Sequence, residues 1–538
     1  MAVYLIQEYF DSTACSYPNN VSVTDGDREF TFKGLYSLSN KLSNCLKDIG
    51  IMRQDCVAIC MKRSSHFLTA IIGINKADAI YVPIDQKTPY ERMSKIIEDC
   101  KPKAIICDSH NLNNMLKITN TINCEVPIII TDAKYSAENR LSSRCILWED
   151  IERHKDTIPA YQNNDLDISY ILYTSGSTGT PKGVMISHLN IVNYIDWAVN
   201  SFNINRHDRI LSTAPFHFDM STFDIHCSLF SGAKLCIAKD NMIMFPKILV
   251  DFIEHENISI WKGISSLFMY MSRVGVIKNG RMPTLKKILF AGEALQPKYL
   301  IDWMKTFPEK HFYNCYGPTE ATGISIYHHV DRIPENYSTR IPIGKNIKND
   351  TNIYLMGDNN TLSTNGEIGE ICISGPCLSK GYLNDIEKTQ KSFVQNPMKK
   401  NVNERIYKTG DLARLNIDGT YDFIGRKDQQ VKFMGYRIEL SEIEFAINSI
   451  SEIRDSAVIL ADENISGVNQ LIAFYESDTN ISPDMIIEEL KNKLPYYMIP
   501  KKLIRIDDMP RSNNGKIDKN KINKIWSGNN TDNNDKPR

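Results

Sequence analysis

The sequence predicts an α/β protein with a large N-terminal domain of βαβ subdomains, a small β subdomain and an α+β C-terminal domain. Short apolar runs alternate with helical patterns up to about residue 330, which is typical of parallel sheets. Short strands separated by Gly and Asn turns follow, and an α+β pattern returns after a polar turn at 425–428. We therefore predict an N-terminal core at 1–427, a C-terminal domain at 428–526 and a disordered tail at 527–538.

Individual elements follow from apolar runs and their spacing. In the first third, buried strands are predicted at 56–60, 80–83, 104–107 and 126–131, with helices at 64–76 and ending near 99. In the β subdomain, short strands are predicted at 370–374 and 420–424. Strand, helix and strand in succession predict right-handed crossovers and a largely parallel sheet.

The composition of the chain bears on its expected partners, its cysteine chemistry and its cellular compartment. The 538 residues are 42% hydrophobic and 24% charged, with a net charge of -1, so neither nucleic acid nor an anionic membrane is an expected partner. The 13 cysteines are scattered without a CxxC pair, which disfavours a disulfide framework and a structural zinc site. With no signal peptide and no apolar membrane span, we expect a cytoplasmic protein.

A glycine-rich segment, YTSGSTGTPKGV at 173–184, follows an apolar run and precedes a helical pattern. In that setting backbone N–H groups, hydroxyls and a lysine can cradle phosphate oxygens. The order Pro181-Lys182-Gly183 differs from a Walker A loop, which disfavours a P-loop ATPase. The expected phosphate-binding residues are Thr174, Ser175, Gly176, Ser177, Thr178, Gly179 and Lys182.

Further motifs follow in order: NCYGPTEAT at 314–322, YKTGDL at 407–412, GRK at 425–427, GYRIE at 435–439 and NGKID at 514–518. Together with the glycine-rich loop they resemble the motifs of adenylate-forming enzymes, the superfamily of acyl-CoA ligases, luciferases and amino-acid adenylation domains. The resemblance covers nearly the whole chain. It implies a mobile C-terminal lid domain that serves two half-reactions, with Asp428 at the hinge.

The resemblance also implies residue roles. Glu320 would bind Mg²⁺, Tyr316 would stack on adenine, and Asp411 with Arg426 would hold the ribose. The implied catalytic residues are Lys516, Glu320 and Lys182, the implied cofactors are ATP and Mg²⁺, and the nucleotide site also includes Asn314, Gly317 and Thr319. A carboxylate would attack the α-phosphorus of ATP and release pyrophosphate, and a thiol would then attack the acyl-adenylate.

The segment FDMSTFD at 218–224 resembles the amino-acid branch of the family, in which an aspartate, here Asp219, holds the α-ammonium of the substrate. A helix N-cap is the alternative role of Asp219. If Lys262 lines the substrate pocket, it favours an acidic or amide amino acid such as aspartate. If Lys262 is instead a solvated residue at the end of a strand, the pocket would suit a small or medium apolar amino acid. The substrate positions carried over are Asp219, Met220, Phe223, Lys262, Leu289, Ala291, Gly292, Cys315, Gly323, Ile324 and Lys516.

Three other functions compete with amino-acid activation for a nonribosomal-type pathway. D-alanine–carrier-protein ligases are also similar, although they carry a cysteine where this chain has Ala291. Acyl- or aryl-CoA ligases usually lack the acidic residue at Asp219. An inactive scaffold that only binds a carrier protein would not need Lys182 and Glu320. No carrier segment follows Lys516, so we expect a free-standing enzyme whose peptidyl or acyl carrier protein acts in trans.

Overall fold

The structure is a computed structural model. It describes residues 3–26, 28–132, 144–176, 180–346, 351–357, 361–428, 430–462, 469–477, 479–511 and 517–531. Contacts divide the chain into two units. The N-terminal unit comprises 1–86, 97–173 and 182–427, and the C-terminal unit comprises 87–96, 174–181 and 428–538.

The helices of the described residues are α1 (Ile6–Ser16), α2 (Phe32–Asp48), α3 (Ser65–Lys76), α4 (Tyr90–Cys100), α5 (Ser109–Thr121), α6 (Trp148–Glu152), α7 (His188–Ser201), α8 (Met220–Ser231), α9 (Asp240–Met244), α10 (Pro246–His255), α11 (Ser265–Arg273), α12 (Pro297–Thr306), α13 (Ile386–Ser392), α14 (Leu440–Asn448), α15 (Pro483–Lys493) and α16 (Lys519–Thr531). Short 3₁₀ helices span Thr319–Ala321 and Tyr496–Met498.

The strands are β1 (Val21–Asp25), β2 (Arg28–Thr31), β3 (Cys56–Cys60), β4 (Ile80–Pro83), β5 (Ala104–Cys107), β6 (Ile128–Ile130), β7 (Cys145–Leu147), β8 (Ile168–Thr174), β9 (Lys182–Ser187), β10 (Arg209–Ser212), β11 (Lys234–Ile237), β12 (Ile260–Ile264), β13 (Lys287–Ala291), β14 (His311–Tyr316), β15 (Ile326–Val330), β16 (Asn352–Met356), β17 (Ile368–Ser374), β18 (Gly381–Tyr382), β19 (Phe393–Gln395), β20 (Arg405–Leu415), β21 (Tyr421–Arg426), β22 (Gln430–Phe433), β23 (Tyr436–Glu439), β24 (Ile453–Asp462), β25 (Asn469–Ser477) and β26 (Lys502–Arg505).

The described strands of the N-terminal unit form three sheets. Among the described residues, sheet A has the order β15-β14-β13-β12-β10-β11-β1-β2 and sheet B the order β18-β9-β8-β4-β3-β5-β6-β7. Sheet C is antiparallel, with the order β16-β17-β20-β19 and with β21 paired to β20. Strands such as β5 are wholly buried and apolar, as expected for parallel strands covered on both faces. The predicted class and subdomain arrangement are therefore confirmed.

Local capping explains several helix starts. Ser64 precedes α3, and its hydroxyl accepts a hydrogen bond from the N–H of Phe67. Thr31 and Asp108 cap α2 and α5 in the same way. Pro246 and Pro297 occupy the first position of α10 and α12, where a missing N–H costs nothing. These signals lie in the sequence itself.

The element that follows the glycine-rich loop corrects the sequence prediction. The sequence predicts a helix after the loop, with apolar positions Ile191, Val192, Ile195, Ala198 and Val199, and this helix is present as α7. The loop does not lead directly into it, because β9 comes first and α7 begins only at His188. The run KGVMIS at 182–187 is short and mostly buried beside β8 in sheet B, which suits a strand. The loop therefore connects two strands, and no helix N-terminus directly follows it.

The C-terminal unit contains a β22–β23 ribbon and a sheet of the described strands β24, β25 and β26. Side chains alternate across β24: Val458 packs with α14 and α15, whereas Ala457 and Ile459 pack with α16. The sheet is thus covered by helices on both faces. Helix α16 contains the buried Trp526 and continues through Thr531. Residues 527–531 are therefore helical, whereas the sequence prediction places them in a disordered tail. Residues 532–538 lie outside the described residues.

Two general features complete the fold. Across the part of the chain that the structure describes, no helix combines the length and apolarity that a membrane crossing needs. The cysteines carry free thiols and most of them are buried.

The stability of the N-terminal unit should depend on pH through His188, the first residue of α7. Its Nδ1 accepts a hydrogen bond from the Ile6 N–H at 3.5 Å, and its Nε2 lies 3.0 Å from the Asn163 amide. Burial lowers the pKa of His188 from 6.5 to about 4. Because the unfolded chain binds the proton more readily, the folded state should lose about 2–3 kcal/mol as the pH falls from 6.5 to 4.

This prediction is checked by denaturant unfolding between pH 7 and pH 4. His188→Gln should flatten the pH dependence of the unfolding free energy, and the same change at exposed His110 should not. Equal slopes for His188→Gln and the unmodified protein would contradict it.

Candidate active site

Sheet A brings the predicted substrate residues to one edge. Strands β10, β12, β13 and β14 are parallel neighbours, so their carboxyl ends lie at the same edge. Asp219 follows β10, Ala291 ends β13, and Tyr316 ends β14. Ligands of open α/β sheets bind beyond the carboxyl ends of the strands. This edge is therefore the candidate active site of the N-terminal unit.

The first cluster at this edge joins two residues predicted to be catalytic. Lys182 Nζ lies 3.6 Å from Glu320 Oε1, and the Tyr382 hydroxyl donates a hydrogen bond to the same oxygen at 2.8 Å. Lys182 Nζ also lies 5.1 Å from the centroid of the Tyr382 ring. Glu320 is fully buried, and a buried carboxylate needs such a charge partner.

A closed loop presents Glu320. The N–H of Ser325 donates to the Tyr316 carbonyl at 2.8 Å, which joins the two ends of segment 316–325. A Cβ at Gly317 would lie 1.6 Å from the Gly323 carbonyl oxygen, so only glycine fits there. The 3₁₀ helix inside the loop carries Thr319 and Glu320 side by side.

A second cluster surrounds Asp411. It faces Arg426 across the β20–β21 pair, and Arg426 Nη1 donates to Oδ1 at 2.6 Å. The Tyr316 hydroxyl donates to Oδ2 at 2.6 Å. Burial and the adjacent carboxylate raise the pKa of Tyr316 well above its usual value, so the phenol stays protonated. A carboxylate can accept about four hydrogen bonds, so Asp411 retains capacity for a further donor such as a diol.

The contacts of Asp219 bear on its two predicted roles, binding the substrate α-ammonium and capping a helix. Asp219 occupies the N-cap position of α8, but its side chain caps no helix N–H. Instead Oδ2 accepts a hydrogen bond from the Thr319 hydroxyl at 2.7 Å. The half-buried carboxylate is thus held beside the loop that carries Glu320, and the alternative N-cap role does not hold.

Lys262 is buried inside the candidate site. It lies on β12, its Nζ donates to the Met220 carbonyl at 3.0 Å, and Nζ lies 5.6 Å from the Phe223 ring centroid. The alternative of a solvated strand end is therefore wrong, because Lys262 is 1% exposed. Leu289 is its in-register neighbour on β13.

The remaining predicted pocket residues share this neighbourhood. Burial raises the pKa of the Cys315 thiol to about 12, so it is a neutral, weakly polar group. Gly292 and Gly323 both have φ of 89°, a region that favours glycine. The buried apolar members of the set are Met220, Phe223, Leu289, Ala291 and Ile324.

The glycine-rich loop groups with the C-terminal unit by its contacts. There the Ser175 hydroxyl donates to the Arg437 carbonyl at 2.7 Å, and the Gly176 N–H donates to the Glu442 carboxylate at 3.2 Å. A Cβ at Gly176 would lie 2.0 Å from the Thr180 carbonyl oxygen, which explains the glycine. Thr174 ends β8.

Four predicted site residues lie outside the described residues: Ser177, Thr178, Gly179 and Lys516. Asn314, another of the residues predicted to bind the nucleotide, uses its side-chain amide to bond the protein backbone. Its amide donates to the carbonyls of Ile341 at 3.3 Å and Pro342 at 2.8 Å, which fixes the end of β14.

Sequence reasoning missed Tyr382. It lies on β18, 62 residues from Glu320, and no quoted motif includes it. Antiparallel pairing of β18 with β9 places Tyr382 opposite Val184, two residues from Lys182. Only a three-dimensional structure or covariation between these strands would have found this contact.

The donor set around Glu320 fits a magnesium ion that also binds phosphates. Among the described residues no group of three or more His, Cys, Asp or Glu side chains could hold a metal by itself. Mg²⁺ in nucleotide sites commonly takes one or two carboxylates and completes its shell with phosphate oxygens and water. The single buried carboxylate of Glu320 meets that requirement.

Most of the chain matches two related family models. A family model described as "AMP-binding enzyme" matches residues 10–383, and one described as "AMP-binding enzyme C-terminal domain" matches residues 442–516. The chain belongs to the AMP-binding enzyme family. The resemblance to adenylate-forming enzymes is confirmed, and this AMP-binding enzyme is of the adenylate-forming ligase type, which uses ATP.

Relatives and structures agree with this family. The AMP-binding enzyme is 33% identical over 521 residues to zwittermicin A synthase ZmaJ from Bacillus cereus, covering 96% of this chain and 94% of that protein. It is 32% identical to gramicidin S synthase 2 from Brevibacillus brevis over 96% of its own length but spans 11% of that protein.

Two solved structures share the fold of the AMP-binding enzyme. The Vibrio cholerae adenylation domain AlmE, in complex with glycyl-adenosine-5'-phosphate, has a TM-score of 0.85, 23% identity and 98% coverage of both chains. Holo-PA1221, an NRPS protein containing adenylation and PCP domains, has a TM-score of 0.78, 25% identity, and coverage of 96% of this chain and 84% of that one.

Proposed function

We propose that this enzyme uses ATP to activate an amino acid as aminoacyl-AMP, releases pyrophosphate, and transfers the aminoacyl group to the phosphopantetheine thiol of a carrier protein. The observation that carries the proposal is the placement of Asp219. Its carboxylate is half-buried, makes no helix cap and accepts a hydrogen bond from Thr319, the neighbour of Glu320. A bound α-ammonium would supply the cation that such a carboxylate needs.

In the first half-reaction the substrate carboxylate attacks the α-phosphorus of ATP in line. A new P–O bond forms, and the bond to the bridging oxygen of pyrophosphate breaks. Charge spreads over the phosphoryl oxygens, so fixed cations and donors stabilise the transition state. Lys182 is one cation at the described site, and Lys516 is proposed as the second from its motif. Asp411 and Arg426 would hold the ribose, with Tyr316 against the adenine.

Magnesium would be held by Glu320. When bound, Mg²⁺ neutralises phosphate charge and orients the phosphates. The protein's own part is to hold the Glu320 carboxylate in one orientation, which the Tyr382 hydroxyl does at 2.8 Å.

The amino acid is proposed to be acidic or an amide, such as aspartate. Support comes from Lys262, whose buried ammonium lies beside Met220 and Phe223 at the predicted pocket. A buried cation favours a substrate group that accepts hydrogen bonds. D-alanine would leave that cation without a substrate partner, and Ala291 departs from the D-alanine ligase pattern.

The carrier protein is proposed from the relatives. PA1221 combines adenylation and PCP domains in one protein, and gramicidin S synthase 2 is much longer than this chain. The free thiols are consistent with a reducing compartment, so we propose a cytoplasmic reaction.

Pyrophosphate exchange into ATP tests the proposal directly. The enzyme is assayed with each proteinogenic amino acid, with D-alanine and with the matching acids that lack the amino group. We expect exchange with an amino acid and little with its des-amino analogue. Equal exchange with both would favour an acyl-CoA ligase, and exchange with none would favour an inactive scaffold.

Asp428 is proposed as the hinge because the contact-based units also separate between Lys427 and Asp428. Its side chain accepts a hydrogen bond from the Gln430 N–H at 3.1 Å. Aspartate also accepts a wider range of φ and ψ than most residues, as a hinge requires. Proline fixes φ near -65°. Asp428→Pro should therefore slow transfer to the carrier thiol much more than pyrophosphate exchange.

The two half-reactions are measured separately, by exchange and by loading of a carrier protein. Asp428→Ala, which keeps backbone freedom, should retain both activities within a few-fold. Equal loss of both activities in Asp428→Pro would argue against a hinge at this residue.

A further inference from the structure

Helix α8 covers a group of buried polar side chains that the proposed mechanism does not use. Asp224 lies on α8 one turn after Met220, and it is completely buried. Neither of its carboxyl oxygens makes a hydrogen bond of normal geometry with the described residues, and the same holds for the Ser212 hydroxyl at the end of β10. The Ser212 hydroxyl nevertheless lies close enough to Asp224 to act on its carboxyl group. Buried polar groups without partners are rare in proteins and call for an explanation.

These groups lie next to Lys262. Strands β10 and β12 are parallel, and Leu211 lies opposite Trp261. One residue further along both strands, Ser212 therefore lies opposite Lys262. Lys262 Nζ bonds the carbonyl of Met220 in the first turn of α8, the turn that leads to Asp224. Asp224 and Lys262 therefore belong to one buried cluster between α8 and sheet A.

Tyr194 adds a donor from helix α7. Its hydroxyl is buried and has no hydrogen-bond partner among the described side chains and backbone groups. The hydroxyl lies 3.7 Å from the position of a Cβ on Gly323, and the Asp219 carbonyl lies 3.8 Å from that same position. Tyr194 therefore borders the predicted pocket between Asp219 and Gly323, although no motif assigns it there.

The charge balance of the cluster depends on Asp224. Burial raises the pKa of Asp224 to about 8, against the opposing effects of Lys262, Arg63 and the Ser212 hydroxyl. At neutral pH its carboxyl group is therefore mainly uncharged, which also makes its lack of partners less costly. Arg63 has its own counter-ion in Asp240 at 2.8 Å. Within the part of the chain that the structure describes, Lys262 bonds the Met220 carbonyl and forms no ion pair, so its charge is then left without an anion in this cluster.

We propose that Asp224 and Tyr194 are specificity-determining residues that, with Lys262, select an amino acid whose side chain ends in a carboxylate over the corresponding amide. The inference rests on the proposed amino-acid activation. A side-chain carboxylate supplies the missing negative charge, and it accepts hydrogen bonds from Lys262, from the Tyr194 hydroxyl and from the protonated carboxyl of Asp224. An amide offers no charge.

The test compares kcat/KM in pyrophosphate exchange for aspartate against asparagine and for glutamate against glutamine. We expect the acid to be preferred at least 10-fold at pH 7. Tyr194→Phe should lower kcat/KM for the acid about 10-fold without changing KM for ATP, because it removes one hydrogen bond to a charged group. The matched control is Tyr170→Phe, a buried tyrosine whose hydroxyl already lies 3.3 Å from Thr222, and it should leave the acid-to-amide ratio unchanged.

The pH profile tests Asp224 separately. The titratable and charged groups that act on it or respond to it are Lys262 on β12, Arg63 before α3, Cys227 on α8 itself and Tyr194 on α7. As Asp224 ionises above pH 8, it should pair with Lys262 and reduce the preference for the acid. Asp224→Asn should retain the preference at pH 7 and lose this decline up to pH 9.

The results separate the two levels of the proposal. Exchange that is restricted to apolar amino acids, or a preference for the amide, overturns this inference and leaves amino-acid activation standing. An unchanged acid-to-amide ratio in Tyr194→Phe, or a decline that persists in Asp224→Asn, also overturns it. Absence of exchange with every amino acid overturns both proposals.

Discussion

Asp219→Ala is expected to reduce amino-acid-dependent pyrophosphate exchange by about 10²- to 10³-fold, because the substrate ammonium would be desolvated without an anion. The carboxylate is held at the site by the Thr319 hydroxyl at 2.7 Å and caps no helix N–H. The helix should therefore tolerate the change. The measurements are exchange kinetics with the preferred amino acid and the thermal unfolding midpoint.

A matched control is available on the same sheet. Asp208 precedes β10 at its opposite end and accepts a hydrogen bond from the Ser259 hydroxyl, also at 2.7 Å. Asp208→Ala should lower the thermal unfolding midpoint but leave the rate of pyrophosphate exchange largely unchanged. Similar exchange by Asp219→Ala and the unmodified enzyme would remove the support for amino-acid activation.

Glu320→Gln is expected to lower pyrophosphate exchange by about 10²-fold or more, since it deletes the buried anion beside Lys182 while keeping the side-chain shape. The amide can still accept the hydrogen bond from Tyr382, so the packing of the loop should persist. The exchange rate is measured across a series of Mg²⁺ concentrations. We expect saturation to require more Mg²⁺ than in the unmodified enzyme.

Glu256→Gln is the control for a buried glutamate paired with a lysine. Glu256 lies 3.0 Å from Lys234, away from the candidate site, and its replacement should affect stability but not the Mg²⁺ dependence. A normal Mg²⁺ dependence in Glu320→Gln would place the ion elsewhere.

The sequence by itself determined the α/β class, the order of the elements and the family. Strands such as Cys56–Cys60 and helix starts such as Ser64 could be predicted because they depend on local periodicity and capping. Lys182, Glu320, Asp219 and Asp411 were predicted as site residues because their motifs resemble those of adenylate-forming enzymes, and the chemistry of phosphate and ammonium groups agrees with these residue types.

The tertiary structure alone decided the environment of those residues. Strand β9 lies between the glycine-rich loop and the predicted helix, which is present as α7, because the apolar run at 182–187 pairs beside β8. A short apolar run does not by itself distinguish strand from helix. The burial of Lys262 and its bond to the Met220 carbonyl, 42 residues away, could not be read from the sequence. The contacts of Tyr382 with Glu320 and of Thr319 with Asp219 span 62 and 100 residues. Such pairs arise from sheet register and helix packing, which no local pattern encodes.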